Sequence, residues 1–445
     1  LGLLLLATAS RAEEGEKTKA AHDHAHAPAP REAVLTGELD FTEAALLTVQ
    51  EGGRKKPLHT LASESLEQLT GRPFFLATPY WKDPSTQERY AAMDVFLSMW
   101  LGSRSREEWR KLPIILVSYA PLRRELGLEE HEKRFSLDQV RAAKQQRKSS
   151  EDQQSSRLEE LVGDAHRLRQ EMGEANTPEL EHQAEIVYAR MQLMGQILWG
   201  DTANSVPHPA NPSGTWISLD MLMAIHKEPE EEVLQSLSEG VARGNPQTAR
   251  DLYRAYLKGY KTEQVEKLLL SFLRFRDAYL KRDKEAFTAS SRELRAALAE
   301  LSPDGYPAEA AMAREVGYNQ TRPFGKAWVL YLLALIVGVA TFRMTSQGAR
   351  AAVLALYAAG LAFHVYGFVI RCLIAGRPPV SNMFESVIWV GFGTVVFGLI
   401  FELIYRPKYF LLCGASGGFL CLVLMDLLPV VMGNAALPGF EAGIN

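Results

Sequence analysis

Four apolar runs, residues 327–342, 351–370, 387–405 and 409–432, follow one another with only short polar breaks between them. Each approaches or exceeds the roughly 17 to 25 residues with which a helix crosses a bilayer. In hydrocarbon the backbone must satisfy its own polar groups, which helices do. This feature alone restricts residues 326–445 to a polytopic α-helical membrane domain of four spans. Charge agrees with it: only 6 of the 49 Lys and Arg residues and 4 of the 53 Asp and Glu residues lie from Ala327 onward. The densely charged remainder belongs in water. The expected fold class is therefore mainly α, with a predominantly helical extramembrane region preceding the spans.

Upstream, residues 1–12 pair an apolar stretch (Leu3 to Leu6) with small residues (Ala7, Ala9, Ser10, Ala12), the pattern of a signal-peptide tail. Residues 13–40 have the composition of a disordered linker. Inside the linker, His22, His24 and His26 alternate, which suits a metal less well than a solvated tether, because nothing fixes their geometry. Residues 41–137 alternate apolar clusters with turn signals and read as a periplasmic α or α+β domain, with a helix near 95–101 capped by Asp94 and a strand near 111–117. Residues 138–325 read as helical. Within them Leu158, Leu161, Ala165, Leu168 and Met172, then Leu180, Ala184, Val187, Met191, Met194 and Leu198, recur at 3–4 spacing. That spacing predicts an antiparallel helical hairpin over 156–199, with Thr177 as cap and Pro178 at the first helical position. Further helices are expected from Glu230 to about Met312. His59, beside apolar residues, reads as structural.

Several classes of function are excluded. No basic stripe marks a nucleic-acid surface, and no phosphate loop, H-E-x-x-H or nucleophile elbow appears. All three cysteines, Cys372, Cys413 and Cys421, lie in the apolar part, and no C-x-x-C-H is present. The chain is thus not itself a c-type cytochrome. A signal peptide would leave the first region outside the membrane. The loops then facing inward carry Arg343 with Arg350 and Arg406 with Lys408, as the positive-inside rule asks. Arg371 and Arg377 run against that rule.

One apolar run contains His364, and an imidazole at membrane depth is costly unless it pairs, faces a cavity or binds something. Tyr357, Gly360, His364, Gly367 and Arg371 share a helix face by spacing. Glycines on that face admit either a flat ligand or a neighbouring helix. Arg371 can snorkel to the interface and meet an anionic group. A histidine hydrogen-bonded to a neighbouring helix is the simpler alternative. After it, Gly376-Arg377-Pro378-Pro379-Val380-Ser381-Asn382-Met383-Phe384-Glu385-Ser386 leads into the third run. There Ser381 or Asn382 either shapes an outer mouth or simply caps the next helix.

This histidine-bearing span and its loop resemble the CcsA/ResC-type cytochrome c biogenesis proteins, whose corresponding loop has Tyr where Phe384 stands. The stretches 53–62 (Gly-Arg-Lys-Lys-Pro-Leu-His-Thr-Leu-Ala) and 315–319 (Glu-Val-Gly-Tyr-Asn) are similar to the long bacterial forms. The resemblance implies a haem-handling membrane protein that presents b-type haem outside for attachment to apocytochrome c, as part of a haem lyase complex with a ResB-like partner or fused domain. It implies His364 as iron ligand, with Arg371, Pro379, Ser381, Asn382 and Glu385 around the cofactor. The family's tryptophan-rich outer loop has no counterpart here, and the expectation is a fragment whose C-terminal half would carry it. A reading from another class is a membrane-anchored sensor whose helical outer domain binds a ligand or partner.

Overall fold

The computed structural model describes residues 39–72, 74–76, 89–102, 106–142, 157–173, 178–209, 211, 213–226, 259–343, 346–378, 380, 383–406 and 409–431. The signal-peptide reading, the three alternating histidines, Thr177 as a cap, the helices expected from 230 to 258, and Pro379, Ser381 and Asn382 all lie outside the described residues. What is described is mainly helical, as expected.

The extramembrane region opens with strands β1 (Thr48–Glu51) and β2 (Arg54–Pro57), paired antiparallel with Glu51 opposite Arg54. The two turn residues, Gly52 and Gly53, both have positive φ (57° and 81°), the backbone that two-residue hairpins require and glycine adopts without steric cost. Helix α1 (Leu58–Thr70) follows directly. Further short antiparallel pairs, β3 (Phe74–Leu76) with β4 (Arg89–Ala91) and β5 (Ile115–Leu116) with β6 (Arg134–Phe135), alternate with helices α2 (Ala92–Leu101), α3 (Arg106–Lys111), α4 (Ala120–Glu125) and α5 (Leu137–Ala142). The strand expected over 111–117 shrinks to two residues: α3 runs through Lys111, and Pro113 cannot donate to a ladder. Asp94 is the third residue of α2 rather than its cap, and its carboxylate bonds back to the Ala91 backbone.

The expected hairpin forms from α6 (Arg157–Met172) and α7 (Glu179–Trp199). Leu158, Leu161, Ala165, Ala184, Val187 and Met194 are buried along its seam. Pro178 sits one residue earlier than expected, extended at ψ 148° before the first helical residue. Strands β7 (Asn204–Val206) and β8 (Ile217–Ser218), helix α8 (Leu219–His226), α9 (Thr262–Lys281) and α10 (Lys284–Leu301) complete the region. Its buried apolar residues, from Leu39 to Leu301, form one continuous core.

Helix α11 (Glu309–Thr321) leads to the spans α12 (Pro323–Ala340), α13 (Gln347–Ala375), α14 (Met383–Tyr405) and α15 (Tyr409–Val431). The break between α11 and α12 is one residue wide. Arg322 takes a left-handed conformation (φ 46°), and Pro323 behind it disfavours helix at the residue before. The spans leave Val329, Ile336, Val339, Val390, Phe397, Leu403 and Ile404 more than 40% exposed, apolar surface that lipid rather than water must cover. Helix α12 packs along both α13 and α15, and α15 along α14, whereas α13 and α14 meet over few residues. A Cβ on Gly398 would lie 2.9 Å from the Gly414 Cα, so α14 and α15 cross with their backbones almost in contact.

Candidate functional site

The face read from spacing on α13 is the buried face: Tyr357, Gly360, His364, Gly367 and Arg371 all point into the bundle. The glycines are occupied by a neighbouring helix. A Cβ on Gly360 would meet the Tyr331 ring at 2.7 Å, and one on Gly367 would meet the Phe324 ring at 2.8 Å, both rings coming from α12. His364 is fully buried. The Phe368 ring stacks on its imidazole with centroids 5.3 Å apart, while Phe324 and Phe392 present edges at 5.6 and 5.5 Å. Its Nδ1 lies 3.2 Å from the Tyr331 hydroxyl. Nε2 is buried and makes no hydrogen bond among the described residues, although the Ile388 backbone of α14 is close to the ring. One ring nitrogen is therefore held by Tyr331, while the other lies outside hydrogen-bond geometry and faces the Ile388 backbone.

Arg371 does not snorkel. Its Nε donates to Glu385 Oε1 at 3.0 Å, and both side chains are 2% exposed. The Phe384 ring lies 5.0 Å from the guanidinium, which also donates to the Tyr318 hydroxyl oxygen of α11. The ion pair thus joins α13 to α14 at the end nearest the extramembrane domain. In a low-dielectric bundle such a pair persists only when its partners and lone pairs are satisfied together. An exposed guanidinium at an interface was expected from α13 alone. The carboxylate that pulls it inward belongs to another helix.

A second pair, buried on the carboxylate side only, closes the opposite end. Arg350 Nη2 is 2.9 Å from Glu402 Oε1, with Glu402 almost wholly buried. A small cleft, scarcely larger than a water molecule, lies beside it, lined by Thr341, Arg350, Val353 and Leu412 among others. Between the two pairs, the Tyr357 hydroxyl donates to the Val395 carbonyl at 2.7 Å. Tyr331 had no signal in the sequence beyond being a tyrosine in an apolar run.

At the extramembrane end, three separate stretches meet. Glu315 on α11 pairs with Arg54 of β2 at 2.7 Å and accepts from the Thr60 hydroxyl of α1 at 2.9 Å. Asn319, one turn on, donates to that same hydroxyl at 2.8 Å. Tyr318 on the same helix reaches Arg371. The Gly53–Ala62, Glu315–Asn319 and His364–Glu385 stretches, far apart in the chain, are thus brought together around α11. Spacing within any one of them could not have shown this. Alongside, Asp426 of α15 takes the Trp328 indole at 3.2 Å and Arg322 at 3.3 Å. Glu67 of α1 is half-buried nearby; loss of solvent holds its carboxyl above the usual range, with Arg322 opposing the rise and Glu64 and Asp426 adding to it.

The donor set fits a haem iron at one atom. An unpaired imidazole nitrogen is what such an iron takes axially, and its sister nitrogen is already engaged by a neighbour, the arrangement metal-bound histidines show. The rings enclosing His364 have to part before that atom can be reached. Among the described residues, no group of three or more His, Cys, Asp and Glu side chains forms a metal centre.

Fold and site together define a four-span helical membrane protein with a buried histidine, tied through α11 to a helical extramembrane domain. No family model matches the sequence. The chain is similar to Protein NrfI of Wolinella succinogenes, with 21% identity over 379 residues covering 82% of this chain and 34% of that protein. It thus spans about a third of the length of the curated relative it matches.

Proposed function

We propose that this chain acts in cytochrome c maturation, as a haem-handling membrane component whose His364 takes the iron. The observation that carries the reading is the buried Nε2 of His364, which lies outside hydrogen-bond geometry inside the spans. The similarity to NrfI supports a role in the maturation of cytochrome c. The resemblance of the loop after α13 supports haem handling at His364.

In this reading His364 binds b-type haem transiently through Nε2, and the Arg371–Glu385 pair with the loop bearing Pro379, Ser381 and Asn382 bounds the mouth on the extramembrane side. When bound, haem supplies vinyl groups to which the two cysteine thiols of an apocytochrome c add. The chain's own work is different. The aromatic enclosure of Phe324, Phe368 and Phe392 keeps water from the imidazole, Tyr331 holds its other nitrogen, and the buried ion pair fixes how far α13 and α14 stand apart. The extramembrane region faces the periplasm and receives the apocytochrome, and a ResB-like partner or fused domain completes the complex in the inner membrane.

The test is haem content. The full-length protein purified in mild detergent is expected to carry b-type haem. His364→Ala should lower its occupancy by more than the roughly tenfold that loss of even an outer partner of a metal ligand costs, and should impair cytochrome c maturation in cells. Equal haem content and equal maturation in that variant would remove His364 from the site. The rival sensor reading draws on the tie between α1 and α11. It would gain if His364→Ala left maturation intact while substitutions at Glu315 altered a downstream response.

A further inference from the structure

The enclosure around His364 contains one side chain whose placement is unusually determined. The Tyr331 ring of α12 lies in a slot between two glycines on different helices. A Cβ on Gly360 of α13 would come within 2.7 Å of its Cε1, and one on Gly418 of α15 within 3.1 Å of its Cδ2 and Cε2. Any larger residue at Gly360 would displace the ring, because overpacking in a close-packed interior forces atoms to shift. The Tyr357 ring meets Tyr331 edge-on with centroids 5.8 Å apart. The ring is therefore fixed on three sides, and its hydroxyl is delivered to His364, one helical turn beyond Gly360, at 3.2 Å from Nδ1.

From this geometry we infer that Tyr331 is the positioning residue for His364: by engaging Nδ1 it fixes the imidazole's orientation and leaves Nε2 as the nitrogen that takes an iron. A phenol hydroxyl both donates and accepts, so it accommodates either tautomer. When Nε2 is metal-bound the proton sits on Nδ1 and is donated to the phenol oxygen. That bond raises the basicity of the ligating nitrogen, as outer partners of metal-bound histidines do. Tyr331 touches neither iron nor substrate and acts only through His364. The inference rests on the haem reading for its consequence, and on the slot alone for its geometry.

The experiment has two arms on the full chain in mild detergent. In the first, without haem, ring-¹⁵N-histidine is introduced and His364 is identified by its loss in His364→Asn. Tyr331→Phe keeps the ring in its slot and removes only the hydroxyl, so it preserves the packing. The Nδ1 resonance is expected to move in Tyr331→Phe while Nε2 moves much less. Gly360→Ala, which pushes the ring aside, should reproduce the Nδ1 change. In the second arm, titration with ferric haem should show affinity reduced about ten- to a hundredfold in Tyr331→Phe, with stoichiometry unchanged and the reduction potential raised. An unmoved Nδ1 resonance in Tyr331→Phe overturns the inference, whatever haem does. A moved resonance with haem affinity and potential equal to wild type overturns the role toward iron. Should the wild-type chain and His364→Ala bind haem alike, the functional reading fails instead, and the first arm still decides whether Tyr331 sets the histidine.

Discussion

The guanidinium of Arg371 and the carboxylate of Glu385 are each buried in an environment where a lone charge costs several kcal/mol. Their mutual contact, together with Tyr318 and Phe384, is what makes burial tolerable. Arg371→Met should therefore destabilise the protein by about 3–5 kcal/mol by leaving Glu385 uncompensated, whereas the double change with Glu385→Met should recover most of that loss. Thermal unfolding in mild detergent would check it, and a single variant as stable as the double would show that the pair is not closed as described. At this scale the sequence was legible on one side only. The 3–4 spacing put Tyr357, Gly360, His364, Gly367 and Arg371 on a common face, and that face is buried. Spacing on one helix carries no information about what packs against it, so Tyr331, Phe324 and Glu385 as partners could not be read.

Helix α2 shows the same limit one level up. Its apolar run was evident, yet the helix starts two residues before Asp94 and buries that carboxylate inside the first turn. Loss of solvent, only partly offset by the Ala91 backbone bond and by Arg282, pushes the Asp94 carboxyl up to about 6, and its Oδ1 has no hydrogen-bond partner among the described residues. The sign follows from linkage. A carboxyl raised from 3.8 to about 6 binds its proton more tightly when folded. Its stabilising contribution is thus full below about pH 4 and is lost as pH rises through about 6. Asp94→Asn should abolish that loss, leaving the variant more stable than wild type at pH 7 by up to about 2–3 kcal/mol, with the gap closing toward pH 4. Unfolding curves from pH 4.5 to 8 would measure it, and parallel curves for the two proteins would refute the assignment. The α14–α15 crossing is likewise an element-level decision. Gly398 and Gly414 are unremarkable among many glycines in the apolar runs until the two helices are laid together.

For the whole molecule, the decisive contact is between the extramembrane domain and the spans through α11. Glu315, Tyr318 and Asn319 lie within about one turn of that helix, two facing α1 and β2 and one facing Arg371. Helix α11 then passes through a single left-handed residue into α12, which carries Tyr331. Glu315→Gln, which takes the counter-charge from Arg54, should loosen this junction by about 1–3 kcal/mol. Amide exchange across residues 309–321 should quicken, while exchange in the core of α6 and α7 stays as in wild type. Exchange that does not change would mean that the domains are held together elsewhere.

Run length, charge segregation and 3–4 periodicity in the chain by themselves determined a mainly helical protein with four spans, a charged domain ahead of them, the α6–α7 hairpin and the buried face of α13. These are local consequences of burying apolar area and of satisfying backbone bonds along one segment at a time. Tertiary structure alone decided that Arg371 turns inward, that His364 keeps one nitrogen engaged and one outside hydrogen-bond geometry, and that stretches some 255 residues apart meet at α11. Each of those outcomes depends on which groups desolvate against one another. That is a property of pairs of distant segments, and no single segment encodes it.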